Sequence, residues 1–579
     1  MIKCICKIRL EVDILIKKWW MESFGYQIYI KSFFDTNGDG VGDLEGVYQK
    51  LDYLKELGIN LIWLVPFYDS PMDDNGYDVR NFYKVATEYG TIETVKKIIK
   101  KAKKLNIKII IDLILNHTSD EHEWFLESRK SLDNPYREYY IWQPPRFEDG
   151  IEREPTNWGS FFGGSAWKKD EITGYYFMKI FSDKMPDLNW KSEKVQDEMV
   201  KMATWWLDLG IDGFRIDAAS HLSRAEFIDS TRDKDKYVYD WNKFSNLPKV
   251  HDYLQILKDR VFSKYDIVTI GEVGGGAPVE SGLRYASFDQ GQLDMVFNFD
   301  HNWCKKSVRG KEVTDLVRLK KVFQKWQEGF KTRGWNPLYW LNHDHPRVMS
   351  MYGDMNYFKE SAKMLSNALY LMRGTPFIYQ GEEIGMTNYP FTKLEEFRDV
   401  STINPIKLAL KDDPSLSIDE LILERRDSSR DQARTPMQWS SEKNSGFTTG
   451  TPWINVNPNY KDINVEKSLL DKNSIWYHYQ NLIDLKLNSK WRDILIYGDF
   501  NIINIDSLYL YSYIRRLNDE IILVVNSFSD QIRFFRLGDY KVNEVIFSNY
   551  ENSHILTKSI RLRPYESLVM SVSLTKKAK

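Results

Sequence analysis

The sequence predicts an α/β protein: an eight-stranded parallel (β/α)8 barrel, a small domain inserted after strand 3, and a C-terminal antiparallel β-sandwich. Three observations lead there. Short, nearly continuous apolar runs alternate with helix-spaced apolar stripes over most of the chain, the pattern of a parallel sheet buried on both faces. Three acidic residues, Asp217, Glu272 and Asp344, each end such a run although they lie far apart in sequence, and a parallel barrel gathers the ends of its strands at one rim. The alternation breaks between residues 119 and 190 and gives way to short alternating strands after residue 496.

Gln27–Ile30 is the first predicted strand, followed by a helix stripe at Leu44, Val47, Leu51 and Leu54. Leu61–Val65 is the second, closed by Pro66, with Ile92, Val95, Ile98, Ile99 and Ala102 on the next helix face. Ile109–Leu113 is the third. Residues 119–190 are rich in Gly, Pro, Trp and Asp without a helix stripe. That is too long for a barrel loop and implies an inserted domain. Val195, Met199, Met202, Trp206 and Leu209 restart the alternation and lead to the strand ending at Asp217. Ile267–Glu272, Met295–Asn298, Tyr339–Asn342 and Pro376–Gln380 complete eight strands, and residues 382–474 form an excursion after the last. The expected division is 1–18 as an N-terminal extension, 19–118 and 191–495 as the barrel, 119–190 as the insert and 496–579 as the β domain.

The 579 residues are enough for two to four domains. A net charge of -2 gives no reason to expect a nucleic acid or a membrane surface as partner. No run approaches the roughly 20 apolar residues of a membrane-spanning helix. Cys4, Cys6 and Cys304 are the only cysteines, too few and odd in number for a disulfide framework. They suit a reducing, cytoplasmic setting. Met1–Lys18 is interrupted by charges and lacks the pattern of a signal peptide. Cys4 and Cys6 fall within it, and metal binding there is the disfavoured reading. No organic cofactor is expected, and the protein is expected to act as a monomer.

Residues two apart on a strand share a face, so Arg215 and Asp217 point the same way. A cation beside Asp217 favours the ionised form that a nucleophile needs. Glu272 follows an apolar strand, where desolvation raises a carboxyl pKa and suits it to be a general acid. Two carboxyl groups about 5–5.5 Å apart cleave a glycosidic bond with retention. Asp344, flanked by His343, His345 and Arg347, supplies a third carboxylate. His117 ends the third strand region as a further polar group. Taken one at a time, an Asp at a strand end is more often a helix cap, and a lone His a structural one.

Asp35-Thr36-Asn37-Gly38-Asp39-Gly40-Val41-Gly42-Asp43 places oxygen side chains at positions 1, 3, 5 and 9, with a backbone carbonyl at Val41. This spacing suits an isolated structural Ca²⁺ site. The plainer alternative is a turn capping the helix that begins near Leu44.

These segments resemble the α-amylase superfamily of glycoside hydrolases (family 13), in its oligo-1,6-glucosidase and α-glucosidase branch. The resemblance runs from about Trp19 to the C-terminus and is carried by Asp112–His117, Gly213–Asp217, Gly271-Glu272, Asn342–Asp344, Gly374–Pro376 with Gln380–Glu382, and Arg430–Trp439. It implies that Asp217 is the nucleophile, Glu272 the acid/base and Asp344 the transition-state stabiliser. It further implies that Tyr77, Asp78, His117, Arg215 and His343 contact the glucose being released, with Arg430 reaching Asp78 to close the pocket. Such an enzyme removes terminal glucose from short oligosaccharides. Ala218 stands where 1,6-preferring members typically have Val, Met185 where Gln is usual, and His345 where Gln is usual, so the linkage, α-1,4 or α-1,6, stays open. A glucosyl-shifting isomerase or synthase would use the same residues. Phe397-Arg398-Asp399-Val400 stands where sucrose isomerases carry Arg-Leu-Asp-Arg-Asp, which counts against it. A non-catalytic binding protein on the same fold should have lost carboxylates that remain here.

Overall fold

The structure, a computed structural model, describes residues 17–274, 276–308 and 311–575. Cys4, Cys6 and almost all of the N-terminal extension lie outside them. Eight parallel strands, named in chain order, form the central sheet: β1 Gly25–Ile28, β2 Leu61–Leu64, β3 Lys108–Ile114, β4 Gly213–Asp217, β5 Val268–Glu272, β6 Met295–Phe297, β7 Pro337–Leu338 and β8 Thr375–Tyr379. Their order is β6-β5-β4-β3-β2-β1-β8-β7. Sequential neighbours therefore pair around the sheet, and β8 closes on β1 with Phe377 beside Gly25. The seam lies between β6 and β7. The strand predicted at Tyr339–Asn342 is instead this two-residue β7, because only Pro337 and Leu338 find ladder partners, on β8. The segment from Tyr339 onward leaves the sheet and carries its residues into the site.

Helices start and stop on local signals. Helix α1 (Leu44–Leu57) is capped by the Asp43 carboxylate, which accepts from the Gly46 amide, and ends at Gly58 with φ 103°. Helix α2 (Ile92–Lys104) is capped by Thr91 and buries Val95, Ile98, Ile99 and Ala102. Helix α3 (Glu193–Leu209) buries Val195, Met199, Met202 and Trp206. Inside the barrel, Leu61, Trp63, Ile110, Val268, Ile270, Met295 and Phe297 form one cluster. Period-two alternation then lifts Asp112 above Ile110, and Glu272 above Ile270, toward the C-terminal rim. Gly213 opens β4 because a Cβ there would meet the Val268 carbonyl oxygen at 2.0 Å.

The inserted region has its own small core of Trp158, Trp167, Tyr176, Met178 and Ile180. Phe244, from the loop after β4, joins that core, so the insert and this loop roof the rim together. The C-terminal residues form a five-stranded antiparallel sheet packed on a three-stranded one. Leu523, Val525, Phe535, Ile560 and Met570 fill the space between the two sheets. None of the described helices is long and apolar enough to cross a membrane.

Candidate active site

Arg215 organises the rim. It sits on β4 beside Asp112 of β3 and Ile270 of β5. Its side chain is almost completely buried, at 1% exposure. Nη1 donates to Asp112 Oδ1 at 2.5 Å and to Asp217 Oδ1 at 2.6 Å. Nη2 donates to Glu272 Oε2. One guanidinium fork thus holds three carboxylates from three adjacent strands, and it brings Asp217 and Glu272 side by side. The Trp63 indole N–H donates to the other Asp112 oxygen.

Asp344 approaches from the segment after β7. Arg434 Nη2 donates to its Oδ1 at 2.9 Å, and His343 Nε2 lies 3.2 Å from its Oδ2. His343 is itself fixed: Gln27 Nε2 lies 2.8 Å from its Nδ1, and the Tyr77 hydroxyl 2.7 Å from its Nε2. The Tyr77 and His343 rings are nearly parallel, 7° apart.

The three carboxyls differ sharply in acidity. Burial pushes Glu272 up to about 7, against the pull of Arg215. Burial pushes Asp217 up to about 6, with Arg215 again opposing and the charge on Asp112 adding to the rise. The sequence-based expectation that Arg215 would keep Asp217 low is therefore only half met: the cation is there, and desolvation outweighs it. For Asp344 the balance reverses. Burial would raise it, but His343, Arg430 and Arg434 hold it well below the usual carboxylate range. A group near 7 beside a permanent anion is the division of labour that acid/base work at neutral pH requires. His117 is fully buried and held neutral, its pKa lowered to about 3 by desolvation. Its Nε2 has no hydrogen-bond partner among the described residues.

Part of this set lines a cavity of about 230 Å³, and Arg215 and His343, expected as sugar contacts, stand buried behind its wall instead. Asp217, Glu272, Asp344, His117 and Tyr77 line the cavity, together with Asp74 and Arg430. Phe161, Phe181, Met185, Ala218, His221, Trp241, Phe299 and Trp303 complete the lining. Ala218 adopts a left-handed conformation, φ 47°, that turns the chain out of β4 immediately after Asp217. His345 stands back from the cavity, bonded to Asn342 at 2.7 Å.

One assignment is corrected. Arg430 does not reach Asp78. Its Nη2 donates to Asp74 Oδ1 at 2.7 Å. Asp78 is fully buried and accepts from the amides of Asp73 and Asp74 at 2.8 and 3.0 Å, so it anchors the loop that presents Asp74. The sequence offered a run of acids at Asp73, Asp74 and Asp78, and spacing alone did not say which faced inward. Arg434 and Asp112 were also missed as site members, although both lie within the quoted motifs. The alternation Ile110, Asp112, Ile114 was the available signal for Asp112.

In the Asp35–Asp43 loop, Asp35 accepts from the amides of Asn37, Gly38 and Gly40, and Asp39 from that of Val41. Asp43 caps α1 and also accepts from Thr36. Among the described residues, no Lys or Arg pairs with Asp35, Asp39 or Asp43, and no ready cluster of three His, Cys, Asp or Glu groups converges on a metal position. The donors fit a hard, oxygen-seeking cation in kind, while Asp43 is already engaged as a cap.

Comparison with known proteins agrees with this geometry. The family model for the α-amylase catalytic domain matches residues 27–498, and that for the α-amylase SusG C-terminal domain matches residues 510–569. An oligo-1,6-glucosidase of Parageobacillus thermoglucosidasius is 46% identical, covering 96% of this chain and 99% of its own. A trehalose-6-phosphate hydrolase of Bacillus subtilis (strain 168) is 42% identical, covering 95% and 98%. The solved isomaltulose synthase of Erwinia rhapontici NX5 is 37% identical with a TM-score of 0.89, covering 96% and 100%. The chain belongs to the α-amylase family and is a glycoside hydrolase.

Proposed function

We propose that this family member is an exo-acting, retaining α-glucosidase that releases terminal glucose from short α-linked oligosaccharides, with α-1,6 links its main target. The observation that carries the reading is the Arg215 fork, which sets Asp217 beside Glu272 at the bottom of a pocket. Asp217 attacks the anomeric carbon while Glu272, protonated, donates to the departing glycosidic oxygen. A covalent glucosyl ester on Asp217 results. Glu272, now ionised, takes a proton from water, which attacks the anomeric carbon and expels the Asp217 carboxylate, regenerating both groups. Asp344 stays anionic beside the oxocarbenium-like centre, His117, neutral, donates to a sugar hydroxyl, and His343 orients Tyr77 and Asp344 from behind. The exo reading takes the Asp74–Arg430 pair in the cavity wall as the barrier that a chain does not run past; the support is their hydrogen bond and their place in the lining.

The 1,6 preference is supported by the relative named oligo-1,6-glucosidase, and Ala218 argues the other way. Incubating the enzyme separately with isomaltose, maltose, sucrose and trehalose 6-phosphate, and separating the products, decides it. Fastest glucose release from isomaltose is expected. Fastest release from maltose would make it an α-1,4 enzyme, and rearranged disaccharide from sucrose would make it an isomerase.

Asp35, Asn37, Asp39, Val41 and Asp43 are proposed to hold Ca²⁺. The support is three carboxylates in one loop without a cationic partner among the described residues. The ion would brace the loop that leads into α1. A cytoplasmic monomer is the setting proposed; for the cytoplasm, the support is Cys304, buried and without a disulfide partner among the described residues.

A further inference from the structure

Asp399 belongs to the excursion after β8 and does not line the cavity. It is nevertheless the main partner of a residue that does. Arg430 donates to Asp399 Oδ1 twice, from Nη2 at 2.6 Å and from Nε at 3.0 Å. The same Nη2 donates to Asp74. Arg430 Nη1 lies 3.5 Å from Asp344 Oδ1. The guanidinium carbon stands 4.8 Å from the centre of the Phe162 ring, which comes from the insert. Four segments therefore converge on one fork, and Asp399 grips its inner edge.

The grip is rigid. Asp399 is wholly buried. It also caps the helix Val400–Asp412: Oδ1 accepts from the Ser401 amide and Oδ2 from the Ser401 hydroxyl at 2.7 Å and the Thr402 hydroxyl at 3.1 Å. The amides of Arg398 and Asp399 are tied in turn to Asp431 Oδ2, at 2.7 and 3.0 Å. Burial alone would raise the Asp399 carboxyl, but Arg430 and Arg434 hold it well below the usual carboxylate range, so the charge persists across the working pH.

We infer that Asp399 is a positioning residue for the terminal-glucose pocket: it holds the Arg430 fork against Asp74 and keeps it from collapsing onto Asp344. Two anions compete for this fork on the cavity side, Asp74 in the wall and Asp344 at the reacting centre. A third anion behind the arginine balances them. With the third charge removed, Arg430 is free to swing toward Asp344 and the wall that meets the terminal sugar loosens. The loss should appear in sugar binding more than in the chemical step, because Asp217 and Glu272 keep their own fork on Arg215. The inference rests on the exo-glucosidase reading, and it adds the residue that sets how tightly the end glucose is held.

The test is the kinetics of Asp399→Asn on isomaltose, with free glucose as competing inhibitor. KM should rise about 10- to 100-fold, as for a misplacement of a positioning group. The inhibition constant for glucose should rise in parallel, with kcat within about threefold of wild type. Asp399→Glu should recover part of the loss. A double-mutant cycle separates positioning from bulk stability: in an Arg430→Ala background, Asp399→Asn should change KM no further. Asp170→Asn removes an equally buried carboxylate that pairs with Arg129 in the insert, away from the cavity, and should leave KM unmoved. An unchanged KM in Asp399→Asn, or independent effects of the two substitutions in the double variant, would overturn the inference while leaving the glucosidase reading intact. Failure of the wild-type enzyme to release glucose would overturn that reading instead.

Discussion

Arg215 Nη1 donates to Asp217 at 2.6 Å, two residues along the same strand, while its other arm holds Glu272. The proposed nucleophile and the proposed acid/base are thus set by one buried cation, not by two separate environments. Replacing Asp217 with Ala should cut turnover by about four orders of magnitude or more. The fork would still pair with Asp112 and Glu272, so the variant should fold and give a circular dichroism spectrum like that of wild type. A variant that kept a tenth of the activity would remove Asp217 from the mechanism.

Arg215→Ala is a different case. It leaves Asp112, Asp217 and Glu272 close together without their cation. Breaking a buried pair by removing one partner costs about 3–5 kcal/mol. The prediction is a marked fall in thermal stability together with lost activity. A melting temperature equal to that of wild type would mean that the fork is not holding the rim.

The pH profile follows from the two raised carboxyls. Asp217 must be ionised, and burial raises its pKa to about 6, so activity should fall as pH drops through that value. Glu272 must be protonated, with a pKa raised to about 7, so activity should fall as pH rises past it. A narrow bell in kcat/KM between these limits is expected, reporting the pair rather than either residue alone. Glu272→Gln should lose the alkaline limb when assayed with a substrate whose leaving group needs no protonation. Persistence of that limb would assign it elsewhere.

Asp74 and Asp78 should separate cleanly. Asp74→Ala should raise KM for isomaltose about 10-fold or more, because Asp74 faces the cavity, and should leave folding largely intact. Asp78→Ala removes the acceptor for two buried amides. It should lower the melting temperature, at a cost of about 1–3 kcal/mol for the orphaned donors. The opposite pattern would restore Asp78 as the sugar ligand.

For the Asp35–Asp43 loop, chelation should lower the melting temperature while leaving room-temperature turnover nearly unchanged. Ca²⁺ should restore stability better than Mg²⁺. Melting curves that ignore both chelator and added Ca²⁺ would leave the loop as a helix cap alone.

Much of this was legible in the sequence, for identifiable reasons. β2, β3, β4 and β5 are buried on both faces, so their apolar runs mark them plainly. The period-two rule then placed Arg215 and Asp217 on one face. β7 was misplaced because two residues make too short a run to read, and the apolar residues from Tyr339 pack outside any ladder. The aromatic walls from Phe161, Phe181 and Trp241 were invisible, since they come from the insert and from the loop after β4, whose approach no local pattern encodes. Asp74 was hidden for a related reason: in a loop of several acids, only the tertiary position of Arg430 shows which one faces the cavity.

The most direct measurement is proton NMR of isomaltose hydrolysis during the first minutes, before the released sugar mutarotates. A mechanism through an ester on Asp217 inverts the anomeric carbon twice and must release α-glucose from the non-reducing end first. The released reducing-end glucose brings its own equilibrium mixture, so the α-anomer should at first exceed its equilibrium share of the total free glucose and then decay toward it. If β-glucose instead starts above its equilibrium share, water attacks the substrate directly, and Asp217 is not the nucleophile.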